Sequence, residues 1–303
     1  MTAQATSETK TVERARLGAF VSFPALGAVL FWSGVAPFGK YALEEIPALA
    51  YTALRPVIAA AVLFGFLRLR RQPLSIARSD WSRFAVAGFG CMGASQLLFI
   101  GGLSLTSVGH NVILAATSPL LSAVMRGVFR REVPDRRTVL GLLAGFAGVV
   151  VIVSDAGSTA GTSVIGDLLS LGAALTWVGA TVLPQPLGVR YGAPRTTAWL
   201  LLGSAALLVP IGSFRVVDLA RNPPSTPAWL SLFYGGAIGM LGGNALWQRA
   251  VQEIGPARTL VYLYLEPVAA MILAALVLGE RLTVTQGIGG VLALAGVALV
   301  RKG

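Results

Sequence analysis

The residues able to do chemistry in this 303-residue chain are few, and most stand in apolar surroundings. Glu266 lies between Tyr262-Leu263-Tyr264-Leu265 and Pro267-Val268-Ala269. A carboxylate in such a run is costly to leave unpaired in hydrocarbon. It could meet an ammonium group on a cargo molecule, carry a proton, or be held neutral by Tyr262. Arg55 stands about two turns into the apolar run 47–67 and suits a carboxylate, either on a cargo or on the protein itself. His110, at the mouth of the run 108–129, has an ordinary pKa near neutrality, although a solvated place at a helix start suits it equally.

The remaining candidates are uncharged and fall in stripes with helical spacing. Asn111, Ser118, Ser122 and Arg126 form one; Asn244, Gln248 and Gln252 form another, with Trp247 beside them. Thr259, Tyr262 and Glu266 make a third, Ser170, Trp177 and Thr181 a fourth, and Trp32-Ser33 and Gln96 complete the set. Polar groups without partners are costly in hydrocarbon, so such stripes turn toward a bundle interior or a wet cavity. The residues expected to line a pathway are Trp32, Ser33, Arg55, Gln96, Asn111, Ser118, Trp177, Asn244, Trp247, Gln248, Tyr262 and Glu266. A plainer use exists for each type. Hydroxyls bond to their own helix carbonyls, amides join helices for about 0.6 kcal/mol, and tryptophans anchor at the membrane interface. Trp81 and Trp229, near run ends, suit the anchoring role best.

The elements that must position these residues follow from composition. The chain is 55% hydrophobic and 12% charged, with mean hydropathy +0.73. Most of its surface therefore cannot face water. Ten apolar runs of about 20 residues each match the hydrocarbon thickness. They span 17–38, 47–67, 84–104, 108–129, 138–154, 164–188, 194–213, 229–250, 257–278 and 285–300. The expected fold is an all-α polytopic membrane protein of ten transmembrane helices, with 218–227 as a turn-rich connector. Placing the N-terminus in the cytoplasm puts 19 Lys and Arg inside and four outside, with Arg55 left in a span, out of 24. That asymmetry orients both termini toward the cytoplasm and fits a cell-membrane protein of the bacterial inner-membrane kind. The net charge of +11 is spread over short loop clusters, which suits anionic lipid and not nucleic acid. Residues 1–16 form a polar cytoplasmic tail without the shape of a cleavable signal.

One stretch is written twice. Adding 148 to a position in 118–152 lands on its counterpart in 266–300: Pro119 on Pro267, Glu132 on Glu280, Gly141 on Gly289, Gly148 on Gly296. The same shift relates Trp81 to Trp229 and Gly88 to Gly236. Each unit holds five spans, an odd number, so the second enters from the opposite side, giving two five-helix inverted-topology repeats. The repeats occupy 17–156 and 164–303. Proline breaks recur at matching places: Pro37 ends the first span, and Pro184 and Pro186 end the sixth, marking gating positions. Pro119 and Pro267 free the carbonyls of Ala115 and Leu263 four residues back. Glu132 and Glu280 lie at helix ends, where a cap or clamp is expected.

The Pro-led helix, the Arg-Glu or Gly279-Glu280 break and the Gly-x6-Gly helix of both halves resemble the EamA branch of the drug/metabolite transporter superfamily. That resemblance covers nearly the whole chain and implies an exporter of small metabolites, similar to amino-acid exporters including the aromatic amino-acid group. A carboxylate and an arginine in an otherwise neutral, aromatic pathway suit a zwitterion. A phosphate carrier would need more than one cation within its spans. Without an acidic cluster, facilitated diffusion by alternating access between the halves is the simplest mechanism, with proton-coupled export of a drug or cationic metabolite as the alternative. Enzyme chemistry is not expected: the sequence has no His-Glu-x-x-His, Gly-x-Ser-x-Gly or Walker A run, and one His and one Cys supply no metal cluster. No catalytic residue, metal or cofactor is predicted. The expected partners are a small molecule, such as an amino acid, and the lipid bilayer, with one chain sufficing as a monomer.

Overall fold

The computed structural model describes residues 21–105, 108–132, 134–155, 163–278 and 283–301; these are helical throughout, with short connections. The first half contains α1 (Phe23–Ser33), α2 (Val35–Glu45), α3 (Ala48–Leu69), α4 (Trp81–Phe84), α5 (Ala94–Leu105), α6 (Val108–Ala115), α7 (Ser118–Arg130) and α8 (Arg136–Asp155). The second contains α9 (Val164–Val182), α10 (Gln185–Tyr191), α11 (Ala193–Arg221), α12 (Thr226–Phe233), α13 (Gly243–Ile254), α14 (Pro256–Val261), α15 (Glu266–Leu278) and α16 (Val284–Arg301). Among the described residues six helical stretches are long and apolar enough to cross a membrane, and Phe23–Ser33 and Val284–Val300 are shorter apolar helices. Large apolar side chains stand outward on the helices, Leu69 (84% exposed), Val284 (81%) and Leu276 (79%) among them, a surface that lipid accommodates and water does not.

Irregularities recur at the 148-residue offset. The α4–α5 and α12–α13 junctions are widened into π-helical turns over Ala85–Gly93 and Tyr234–Gly242, glycine-rich stretches offset by 149. Helices α1 and α2 part at Gly34, and α9 and α10 part at Leu183-Pro184. The first break therefore precedes Pro37, whose backbone continues within α2 while its side chain lies outside the described residues. Pro184 sits at the second break, and Pro186 is in the first turn of α10, where its missing N–H leaves no bond unmade. Ahead of Pro119 the chain turns at Ala116-Thr117; ahead of Pro267 it tightens to a 3₁₀ turn over Tyr262–Leu265. The carbonyls freed by those prolines are both taken. Ser118 Oγ donates to Ala115 O at 2.7 Å, and the Glu266 N–H donates to Leu263 O.

Equivalent helices pack on each other reciprocally. Helix α8 lies along α16, and α3 along α11. A Cβ on Gly141 would meet Gly296 O at 2.8 Å, and one on Gly148 would meet Gly289 O at 2.6 Å. Gly141 is the counterpart of Gly289, and Gly148 of Gly296, so each glycine touches the mate of the other. That exchange is the mark of a twofold relation, here between helices running antiparallel. Only glycine lets these backbones approach so closely.

The helix bounds differ modestly from the expected runs. Helix α11 continues to Arg221, so the connector expected at 218–227 shortens to residues 222–225, capped by Ser225. Trp81 and Trp229 are exposed near helix starts. Glu132 is exposed after α7, whereas Glu280 lies outside the described residues, as does the 1–16 tail.

Candidate functional site

A cavity of about 750 Å³ opens between the halves, within the range of small-molecule sites. It reaches from Leu43 and Glu44, at the end of α2, to Ser118, Glu266 and Pro267 beside the two helix irregularities. Nine of the residues singled out in the sequence line it: Trp32, Ser33, Arg55, Gln96, Asn111, Ser118, Trp177, Asn244 and Glu266. Trp247, Gln248 and Tyr262 do not; they are buried behind its wall, each 1% exposed or less.

The wall is built by helix spacing. Tyr51 and Arg55, one turn apart on α3, both reach the cavity, and the guanidinium carbon stands 5.3 Å from the Tyr51 ring centre. Arg55 Nη2 donates to Gln96 Oε1 on α5 at 3.3 Å. Arg55 Nε and Tyr51 Oη are buried without a hydrogen-bond partner among the described residues. This region therefore offers donors.

The region around α6, α13 and α15 offers acceptors. Asn111 Nδ2 donates to Phe99 O at 3.2 Å and to Ser170 Oγ at 2.9 Å; Asn244 Nδ2 donates to Met240 O at 2.7 Å. With both amide nitrogens committed, the atoms left buried and unpartnered are the oxygens, Oδ1 of each. Glu266 adds a carboxylate, and among the described residues no ion pair engages it. The hydroxyls are mostly satisfied locally. Ser33 Oγ donates to Val29 O at 2.7 Å, and Ser118 Oγ also lies 3.4 Å from Ala174 O. The rest of the lining is largely apolar, with Phe99, Ile100, Val112 and Leu263 prominent.

Three tryptophans close one side. Trp32 and Trp177 line the cavity with ring centres 5.4 Å apart, and Trp247 packs behind at 5.0 Å from Trp32 and 6.0 Å from Trp177. Trp247 Nε1 donates to Thr181 Oγ1 at 3.1 Å. Tyr262 accepts at its hydroxyl from the Ser22 N–H at 2.9 Å, pinning the start of α1. A separate, smaller space of about 230 Å³ is lined in part by Arg126, Glu132, Asp135 and Arg258.

Glu44 and Tyr51 belong to the lining and were not singled out in the sequence. Tyr51 carried a usable signal, one turn from Arg55; Glu44 reads there as an ordinary loop acid. Among the described residues no group of three or more His, Cys, Asp or Glu is arranged for a metal.

A solved structure, titled only as the crystal structure of a protein, shares this fold. Its TM-score is 0.73 at 21% identity, over 92% of this chain and 95% of that one. The chain is also similar to an uncharacterized transporter of Archaeoglobus fulgidus (27% identical, over 89% of this chain and 93% of that protein). The uncharacterized transporter YyaM of Bacillus subtilis is 26% identical, over 90% of each. A probable terminal-alkyne amino-acid exporter of Streptantibioticus cattleyicolor is 25% identical, over 90% of this chain and 91% of that protein. The profile of the EamA-like transporter family matches twice, over residues 20–154 and 164–302. The chain belongs to the EamA-like transporter family, and is a multi-pass membrane protein of the transporter class.

Proposed function

We propose that this chain exports small metabolites, amino acids foremost and aromatic ones among them, through the cavity between its halves. In this reading ten spans form two inverted five-helix units, 17–156 and 164–303, that exchange conformations to give alternating access. A single chain suffices, both termini are cytoplasmic, and no cofactor or coupling ion is used. One observation carries the cargo class: an apolar cavity holds a cation with spare donors at Arg55 and a separate set of acceptors at Asn111, Asn244 and Glu266. A zwitterion with an apolar side chain satisfies both sets, leaving neither charge bare. The similar exporter of an amino acid supports the same class.

One feature favours a second reading, proton-coupled export of a cationic cargo: Glu266 has no described ion pair within the cavity. Counterflow in proteoliposomes with a panel of labelled amino acids, run with and without a pH gradient, separates the two. The proposal expects saturable exchange that ignores the gradient. Acceleration by the gradient would establish the second reading. Flux of a sugar phosphate or polyamine, with none for any amino acid, would overturn the cargo class.

A further inference from the structure

The two halves contribute unequally to the cavity. Phe99 and Ile100 line it, whereas their counterparts at the 148-residue offset, Trp247 and Gln248, are 0% and 1% exposed. Asn111 and Ala116 line it, whereas their counterparts Thr259 and Tyr264 do not. Trp247 and Tyr264 pack within apolar clusters, but the sealed set also buries polar atoms. Gln248 Nε2 and Tyr264 Oη are buried with no hydrogen-bond partner among the described residues. Leaving such groups orphaned costs about 1–3 kcal/mol each, which permanent core would be expected to avoid.

Resting on the transport reading, we infer that Gln248, Thr259, Tyr264 and Thr181 form a second cargo-binding surface, the repeat image of the present wall. It is bared toward the Arg258 end when the halves exchange conformations. In an inverted repeat the opposite-facing state is obtained by giving each half the other's conformation, so each lining residue hands its place to its counterpart. Two polar pairs survive this exchange because both members already line the cavity: Gln96 with Asn244, and Ser118 with Glu266. They stay on the path in both states, where Asn244 and Glu266 supply the acceptors for the cargo's ammonium. Arg55 does not survive it, since its counterpart is Gly203. The second surface therefore binds through neutral amides, hydroxyls and Glu266, and the carboxylate of the cargo is gripped only in the state described here.

Site-directed thiol labelling tests this without any need for flux. In a Cys91→Ser background, Ile100→Cys, Gln248→Cys and Thr259→Cys are reconstituted in membranes and treated with an impermeant maleimide from either face. Ile100→Cys is expected to react from the face at the Glu44 end, and Gln248→Cys and Thr259→Cys from the face at the Arg258 end only. In the double variant Ile100→Cys/Gln248→Cys, modifying position 100 first should slow reaction at position 248 at least tenfold, because the surfaces open in alternation. Lack of reaction at both 248 and 259 beside a reactive position 100 would overturn the inference, as would reaction at 248 that is indifferent to modification at 100. Thr259→Cys is nearly isosteric, so misfolding of the glutamine variant would not spare the idea. Counterflow failing for amino acids while labelling alternates would remove the cargo and keep the second surface; the reverse pair of results would do the opposite.

Discussion

Phe99 and Trp247 hold equivalent places in the two halves, yet one faces a cavity and the other has no exposed surface at all. The same contrast runs through Ile100 and Gln248, and Asn111 lines the cavity where Thr259 does not. Backbone irregularities, by contrast, match to within one or two residues: the π-helical turns, the breaks near Gly34 and Leu183, the disturbed turns before Pro119 and Pro267. Duplication has preserved where the helices bend and pack, while substitution has changed what they present. Framework and cargo chemistry are thus separable, and mutations at paired positions should tell them apart.

The largest effect belongs to the framework. A Cβ on Gly148 would stand 2.5 Å from the Ala293 nitrogen and 2.6 Å from Gly289 O, both backbone atoms that cannot turn aside. Gly148→Leu should cost about 3 kcal/mol or more and leave little folded protein. Gly65 meets nothing within 4 Å, and Gly65→Ala should leave melting unchanged or raise stability by about 0.5–1 kcal/mol. Fluorescence-detected size exclusion after heating measures both. Equal tolerance at the two sites would mean that the α8–α16 crossing does not hold the halves together.

Next come the paired aromatics. Trp247→Ala removes a fully buried indole packed on Trp32 and Trp177 and should cost about 3–5 kcal/mol. Phe99→Ala, on the cavity wall, should cost clearly less on the same thermal assay. The cargo pair follows: Glu266→Gln should lower amino-acid counterflow at least tenfold with normal expression, and Ser118→Ala less than twofold, since its hydroxyl is already committed to Ala115 O. Matching losses at 118 and 266 would say that the acceptor set does not discriminate between the halves.

The smallest effect separates the two helix-end latches. At one end Glu45 accepts from the Ser225 N–H and hydroxyl, both at 2.6 Å; at the other, Tyr191 Oη accepts from the Ala77 N–H at 3.0 Å and donates to Asp80 at 2.7 Å. The Ser225 side-chain and backbone bonds hold the Glu45 carboxyl below its usual range. A lowered folded pKa means a contribution present above the unfolded value and lost as pH falls through the folded one. Protection of the Ser225 amide against hydrogen exchange should therefore weaken on acidification below the ordinary carboxylate range, after correction for the intrinsic exchange rate. Ser225→Ala should weaken it at neutral pH. The Ala77 amide, capped by a tyrosine, should show no such Glu45-linked change.

Much of this architecture was legible because its signals are local. Apolar runs, prolines and the constant offset need no tertiary information, and Gly141, Gly148, Gly289 and Gly296 help to fix that offset without saying that the two helices cross there. Helical stripes likewise brought together Asn111, Ser118 and Glu266. What stayed hidden was conformational. Trp247 and Gln248 share a stripe with Asn244, but a stripe does not say how far along it the cavity extends before the tryptophans close it. Sequence points to Pro37 as the break because proline is the stronger breaker on paper, while the chain turns where Gly34 packs against the Tyr234 hydroxyl and leaves no space for a side chain. Glu44 was hidden for a simpler reason: an acid lying between two apolar runs does not tell whether a cavity opens beside it.

In the proposed binding mode Arg55 grips a cargo carboxylate while the acceptor set holds its ammonium. Competition binding to purified protein by an amino acid and its amide, with wild type and Arg55→Gln, measures that contact as a cycle. Amidation should weaken binding to the wild type at least tenfold and alter binding to Arg55→Gln by less than threefold. An amidation penalty that persists undiminished in Arg55→Gln would contradict this binding mode.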